Sequence, residues 1–107
     1  MNEQTSDIFA ALGSPVRLKM AEALMRQGPM AITELGRPHG MSLTGVKKHV
    51  SVLEEAGLVR CSKMGRENIC AIDPKALQSA ASWFERHEKF WMTSFDRLEK
   101  LLKRKSQ

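Results

Sequence analysis

Residues 40–66, GMSLTGVKKHVSVLEEAGLVRCSKMGR, constrain the fold of this chain more than any other stretch. Ser42 is a good helix N-cap, because its hydroxyl can accept from an orphan backbone N–H of the first turn. After it, Leu43, Val46, Val50 and Leu53 recur at helical spacing and form one apolar stripe. Gly57 follows Glu55 and Ala56 and can end the helix in the left-handed conformation. Opposite the stripe lie Thr44, Lys47, Lys48 and Ser51, a face with positive charge, hydroxyls and no carboxylate. A helix with an apolar back and a short, basic, hydroxyl-bearing front suits the DNA major groove, which is wide enough to admit one helix. The competing account is an ordinary exposed helix whose lysines are solvated.

The residues after this helix favour DNA. Residues 58–62 and 68–72 read as two short strands, with Lys63-Met64-Gly65-Arg66 as a basic, glycine-containing turn between them. A recognition-type helix feeding a basic hairpin is the plan of a winged helix-turn-helix. Arg60, Lys63 and Arg66 in this wing are placed to track a phosphate backbone or enter the minor groove. With Met64-Gly65 at the centre of a two-residue turn, Cys61 faces Asn68 and Cys70 faces Val59. The cysteines are then diagonal neighbours roughly 7–8 Å apart, near but beyond disulfide distance.

The remaining chain supplies the frame. Met1 to Gln4 is expected to be frayed. Residues 7–12 carry Ile8, Phe9 and Leu12, a short apolar helix ended by Gly13. Ser14-Pro15 is a strong start signal for a second helix over 16–27, with Leu18, Ala21, Leu24 and Met25 inward and Arg17 and Lys19 exposed. Gly28-Pro29 breaks it. Met30-Ala31-Ile32 can pair with the wing as a short strand. Thr33 is read as the cap of a third helix over 34–37, closed by Pro38, and His39-Gly40-Met41 as the turn before the Ser42 helix. Asp73-Pro74 then starts a last helix, and from there to 103 the chain has no Pro or Gly.

That last stretch repeats every seven residues at Leu77, Phe84, Trp91 and Leu98, flanked by Ala80, Ala81, Trp83, Phe90, Phe95, Leu101 and Leu102. The stripe is too wide and too aromatic for a lone solvated helix. A helix of roughly thirty residues at about 1.5 Å each also outruns a small domain. The excess projects, and projecting aromatic residues need a second chain, for which a two-fold dimer is the default assembly; the competing account is that the stripe covers its own domain's core.

Composition sets the outer bounds. A chain of 107 residues is near the common domain size. It reads as one winged-helix domain over 1–107, with 5–72 as helix-turn-helix plus wing and 73–104 as a C-terminal dimerisation helix. The net charge of +5 favours a polyanion. No apolar run approaches a membrane span and no secretory signal is visible, so the cytoplasm is the expected compartment. Two cysteines there are expected to be reduced thiols. No nucleophile elbow, phosphate loop, HExxH or CxxC is present, so the chain is not expected to be an enzyme or to carry a cofactor.

The chain resembles the ArsR family of bacterial winged-helix regulators. The residues that carry the likeness are Val46-Lys47-Lys48-His49-Val50, then Leu53-Glu54-Glu55-Ala56-Gly57-Leu58-Val59, then Gly65-Arg66. It extends through Ser14-Pro15-Val16-Arg17-Leu18 upstream and Asp73-Pro74 downstream. The resemblance implies a mainly α fold with a small β-hairpin wing and a long C-terminal dimerisation helix. It also implies a homodimer that binds double-stranded DNA, acts as a repressor, and dimerises through its first and last helices. Ile8, Phe9, Leu12, Phe84, Trp91, Phe95 and Leu98 are then the interface candidates. Ser42, Thr44, Lys47, Lys48, His49, Ser51, Arg60, Lys63 and Arg66 are the DNA candidates.

His49 lies at the edge of the apolar stripe, where packing and DNA contact are both open; the resemblance places a histidine in the DNA-reading helix. His39 reads as exposed and His87 as a packing or hydrogen-bonding residue. The metal sites of the family are not reproduced. Its metalloid sensors carry a cysteine pair where this chain has Thr33-Glu34-Leu35-Gly36-Arg37. Its zinc sensors carry an Asp and spaced His residues where the last helix here has only His87, beside Glu88. No metal is expected, and an unidentified small-molecule or redox effector stays open. Cys61 and Cys70 are either small apolar wing residues or a redox or metalloid element. The alternative to DNA binding is a protein-interaction module on a winged-helix scaffold.

Overall fold

Three side-chain caps divide the chain where the local signals place them. Ser14 Oγ accepts from Arg17 N, Ser42 Oγ from Gly45 N, and Asp73 Oδ1 from Lys75 N. The computed structural model describes residues 3–105. Its elements are α1 (Glu3–Leu12), α2 (Pro15–Gln27), β1 (Met30–Ala31), α3 (Ile32–Gly36), a 3-10 turn (Arg37–His39), α4 (Leu43–Glu55), β2 (Val59–Met64), β3 (Glu67–Ile72), α5 (Pro74–Arg86) and α6 (Glu88–Lys105). This is the expected winged helix-turn-helix. Of the terminus expected to fray, Glu3 and Gln4 belong to α1, while Met1 and Asn2 lie outside the described residues. α3 starts two residues earlier than expected. Ala31, leaving β1 in extended backbone, is its N-cap without a side-chain bond, and Thr33 is inside the first turn. Pro38 sits in the 3-10 turn rather than closing α3.

The sheet order is β1-β3-β2, all antiparallel. Met64 pairs with Glu67, so Gly65-Arg66 is the turn, not Met64-Gly65. Gly65 has φ +65° and, among the described residues, no non-glycine residue has positive φ, which is the type II′ pattern with glycine first. Moving the turn by one residue changes the pairing by two. Every side chain therefore keeps its face, but Cys61 now stands directly opposite Cys70.

The core packs the inner face of α4 (Val46, Val50, Leu53) against Ile8, Met20, Leu35, Leu58 and Cys70. Two expected inward residues of α2 are not inside. Leu18 is 42% and Met25 46% exposed, because the buried line runs through Met20, Ala21 and Leu24, and both residues lie on its flank, roughly 100° around the helix. Leu43 of the α4 stripe is likewise half exposed.

The final stretch is helical as expected but interrupted at His87. His87 N donates to Phe84 O, one residue short of helical spacing, and the released Trp83 carbonyl accepts instead from His87 Nδ1 at 2.7 Å. The radius of gyration is 17.7 Å, against about 13 Å for a compact chain of this length. The longest dimension is 62 Å. α6 is what projects.

Candidate nucleic-acid interface

The helix-turn-helix is set by one close crossing. Gly36 ends α3 in right-handed backbone, and a Cβ there would run into Cγ2 of Val46 on α4. The absent side chain lets α3 and α4 touch. Val46, Val50 and Leu53 then face inward, which turns Thr44, Lys47, Lys48 and Ser51 outward, all four exposed. Ser42 is exposed at the N-terminus of α4, with its hydroxyl committed to the cap.

Lys47 links helix to wing. It borders one recess of about 410 Å³ with Glu54, Cys61 and Lys63, and a second of about 250 Å³ with Arg66 and Asn68. Lys63 and Arg66 are exposed. Arg60 is exposed too, but its Nε donates to Asp73 Oδ2 at 3.1 Å, which ties it to the foot of α5 rather than leaving it free at the wing.

His49 is half-buried, and its Nδ1 lies 3.5 Å from Nη1 of Arg17. Arg17 does not have the exposed position expected of it. It is half-buried, and its Nε donates to Ala11 O at 2.6 Å, at the end of α1. A guanidinium between the last turn of α1 and the recognition helix is a link that periodicity does not reveal. The only clue is its position one turn beyond the Gly13 break, close enough to reach back. His39 is half-buried rather than exposed.

The candidate dimer residues divide into two groups. Phe84, Phe95 and Leu98 are 48%, 60% and 52% exposed, and Trp91 borders them half-buried. Together with Glu85, Glu88 and Met92, the aromatics line an open apolar recess of about 530 Å³. Trp91 Nε1 is buried without a hydrogen-bond partner among the described residues. Ile8 is the correction: at 0% exposure it belongs wholly to its own chain's core and cannot touch a second chain. Phe9 is half-buried, edge-on to Trp83 at 5.6 Å and to Phe84 at 5.5 Å, so it anchors α1 to α5. Leu12 is partly buried against the core. The interruption at His87 brings Trp91 of α6 within 6.2 Å of both Trp83 and Phe84.

The thiols of Cys61 and Cys70 are free, with Sγ atoms 2.9 Å apart. Burial pushes both above the ordinary thiol pKa. The adjoining Cys70 raises Cys61 further, and Glu54 adds to both. No group of three or more His, Cys, Asp or Glu among the described residues could hold a metal ion, and no helix among them is long and apolar enough to cross a membrane.

A helix-turn-helix domain family matches residues 12–62. A solved ArsR-family transcriptional regulator is 34% identical, with a TM-score of 0.74, and the match covers 84% of this chain and 92% of that one. An uncharacterized HTH-type transcriptional regulator of Methanocaldococcus jannaschii is 33% identical over 70 residues, 62% of this chain and 74% of its own. The homodimeric winged helix-turn-helix DNA-binding domain solved from Mycobacterium bovis has the same fold at 24% identity and a TM-score of 0.62, over 92% of this chain and 84% of that one. These relatives are regulators, not enzymes, and the chain belongs with them: it is an ArsR-family winged helix-turn-helix transcriptional regulator.

Proposed function

We propose that this regulator works in the cytoplasm as a homodimer that binds double-stranded DNA and represses transcription by occluding a promoter. The observation that carries the reading is the exposed face of Thr44, Lys47, Lys48 and Ser51, held outward by the buried line Val46, Val50 and Leu53. Residues 5–72 do the reading and 73–104 pair the two chains. Two copies of α4, related by the dimer axis, enter successive major grooves about one helical turn apart. Thr44, Lys47, Lys48 and Ser51 supply base-edge and phosphate hydrogen bonds, and backbone N–H groups after Ser42 meet a phosphate. Lys63 and Arg66 follow the backbone. Arg60 reaches it only by leaving Asp73. His49 orients the helix through its packed face and meets DNA with its open edge.

Pairing is supported by the apolar face of Phe84, Trp91, Phe95 and Leu98, which no residue of its own chain covers fully, and by the homodimeric state of the Mycobacterium bovis domain. Phe9 borders that face through Phe84. Repression is inferred from the family resemblance.

The test is a mobility-shift titration with genomic fragments. Binding should weaken steeply with salt, because phosphate contacts release counterions, and the Lys47→Ala, Lys48→Ala double variant should abolish the shift. A folded wild-type protein that shifts nothing at low salt sinks the reading and leaves a protein-interaction module in its place. Repression is checked separately: added protein should lower transcription from a promoter carrying the selected operator.

A further inference from the structure

The wing holds a feature that DNA reading does not use. Cys61 and Cys70 face each other across β2 and β3 with their sulfurs 2.9 Å apart, and both are free thiols. The Met64–Glu67 pair closes a two-residue turn and is hydrogen-bonded in such hairpins. Counting outward, the cysteines occupy a non-hydrogen-bonded pair, where Cα atoms are about 4.5 Å apart and side chains come closest. That separation falls inside the range a disulfide spans without backbone movement. The two sulfurs differ in access. Cys70 is 0% exposed and belongs to the core. Cys61 is half-buried and lines the recess between α4 and β2, beside Lys47, Glu54 and Lys63.

We propose that Cys61 and Cys70 form a reversible disulfide site in the wing, oxidised by low-molecular-weight disulfides that enter through this recess, with Cys61 reacting first and Cys70 resolving. Cys61 gives its proton to solvent, and its sulfur attacks one sulfur of the small disulfide. A Cys61 mixed disulfide forms, the small S–S bond breaks, and the first small thiolate leaves and takes up a proton. Cys70 then gives up its proton and attacks the Cys61 sulfur. The protein disulfide forms and the second small thiol leaves. Two protein thiols are oxidised by two electrons, and one small disulfide is reduced to two thiols. Excess small thiol runs the sequence backwards.

The charged groups around the recess are Lys47 and Glu54 of α4 and Lys63 of β2. Burial keeps both cysteines protonated at neutral pH, so thiolate is scarce and exchange is slow. The test must therefore run to equilibrium. The full chain is held in glutathione buffers of graded ratio, quenched with acid, and its thiols counted by the mass added by a maleimide. The wild-type chain should lose both thiols together, with no glutathione retained and no link between chains. Cys70→Ser should accumulate one glutathione, on Cys61. Cys61→Ser should keep its buried Cys70 thiol unmodified while circular dichroism shows it folded.

Both thiols persisting at the most oxidising ratio overturns the proposal. So does a disulfide between chains, or a Cys70 in folded Cys61→Ser that takes up glutathione as fully as Cys61 does in Cys70→Ser. Should either serine variant fail to fold, the paired loss of thiols in the wild-type chain decides alone.

A consequence for DNA rests on the proposed reading surface. A glutathione held on Cys61 in Cys70→Ser places an anionic tripeptide beside Lys47 and Lys63, and should weaken DNA binding at least about ten-fold. Thiol counting involves no DNA, so failure of the thiol site and failure of the reading surface are told apart.

Discussion

Arg60 and Asp73 join the wing to α5: Arg60 Nε donates to Asp73 Oδ2 at 3.1 Å, while Oδ1 of the same carboxylate accepts from Lys75 N at 3.0 Å. One side chain thus holds a strand residue and caps α5. Removing it as Asp73→Ala should cost about 1 kcal/mol, the usual worth of an N-cap; the ion pair adds little, since Arg60 is mostly exposed. Asp73→Asn keeps the cap oxygen and should lose less. Urea unfolding of the two variants checks the order.

Gly36 should not tolerate a methyl group. Its backbone is right-handed (φ −86°, ψ −16°), so strain is not the reason. The added Cβ meets Cγ2 of Val46, a branched side chain with little freedom to turn aside. Gly36→Ala should destabilise the protein by about 1–3 kcal/mol, the range for overpacking. It should also weaken DNA binding, because α4 must shift. An unchanged denaturation midpoint would contradict this.

Lys47 and Lys48 should each lower the salt dependence of binding when replaced. If each contacts one phosphate, Lys47→Ala or Lys48→Ala should reduce the slope of log K against log salt by about 1. Replacing Lys19, on α2, should leave the slope alone. Fluorescence anisotropy at graded salt separates the two.

Phe95→Glu should break the proposed dimer and spare the fold. Phe95 is 60% exposed within its own chain, so the carboxylate needs no burial there, whereas a paired face would have to desolvate it. Sedimentation should show the wild-type chain as a dimer and Phe95→Glu as a monomer at the same concentration, with an unchanged helical spectrum.

The thiols should make stability fall in alkali. Each is an acid whose folded-state pKa is raised above its ordinary value near 9.0, mainly by burial. The unfolded chain therefore releases these protons first. The stabilising contribution is complete below about pH 9 and declines as pH rises towards the folded-state value. Under reducing conditions, unfolding free energy between pH 8 and pH 10.5 should drop more for the wild-type chain than for Cys61→Ser, Cys70→Ser.

Sequence reading succeeded where signals are local. Ser14-Pro15, Ser42 and Asp73-Pro74 announce three helix starts through bonds made within three residues. It fell short where the deciding contact is distant or where two local answers fit. Gly65 can serve either turn position, and only the pairing of β2 with β3 selects the first. The interruption at His87 involves no proline or glycine, only a side chain taking the Trp83 carbonyl. Apolar spacing marks Ile8 and Phe84 alike, although one is sealed inside and the other half exposed. Arg17 reaches a histidine 32 positions away, and a lone Gly36 carries no sign of the helix it must let past.

Among the described residues, no member of the buried core lies in α6. The buried core therefore closes without α6, whose Trp91 rests against Trp83 and Phe84 of α5. If α6 pairs two chains as proposed, changes at Phe95 or Leu98 should alter the pairing while this core keeps its shape. On that proposal, which chain is paired and which groove is read can change independently of one another.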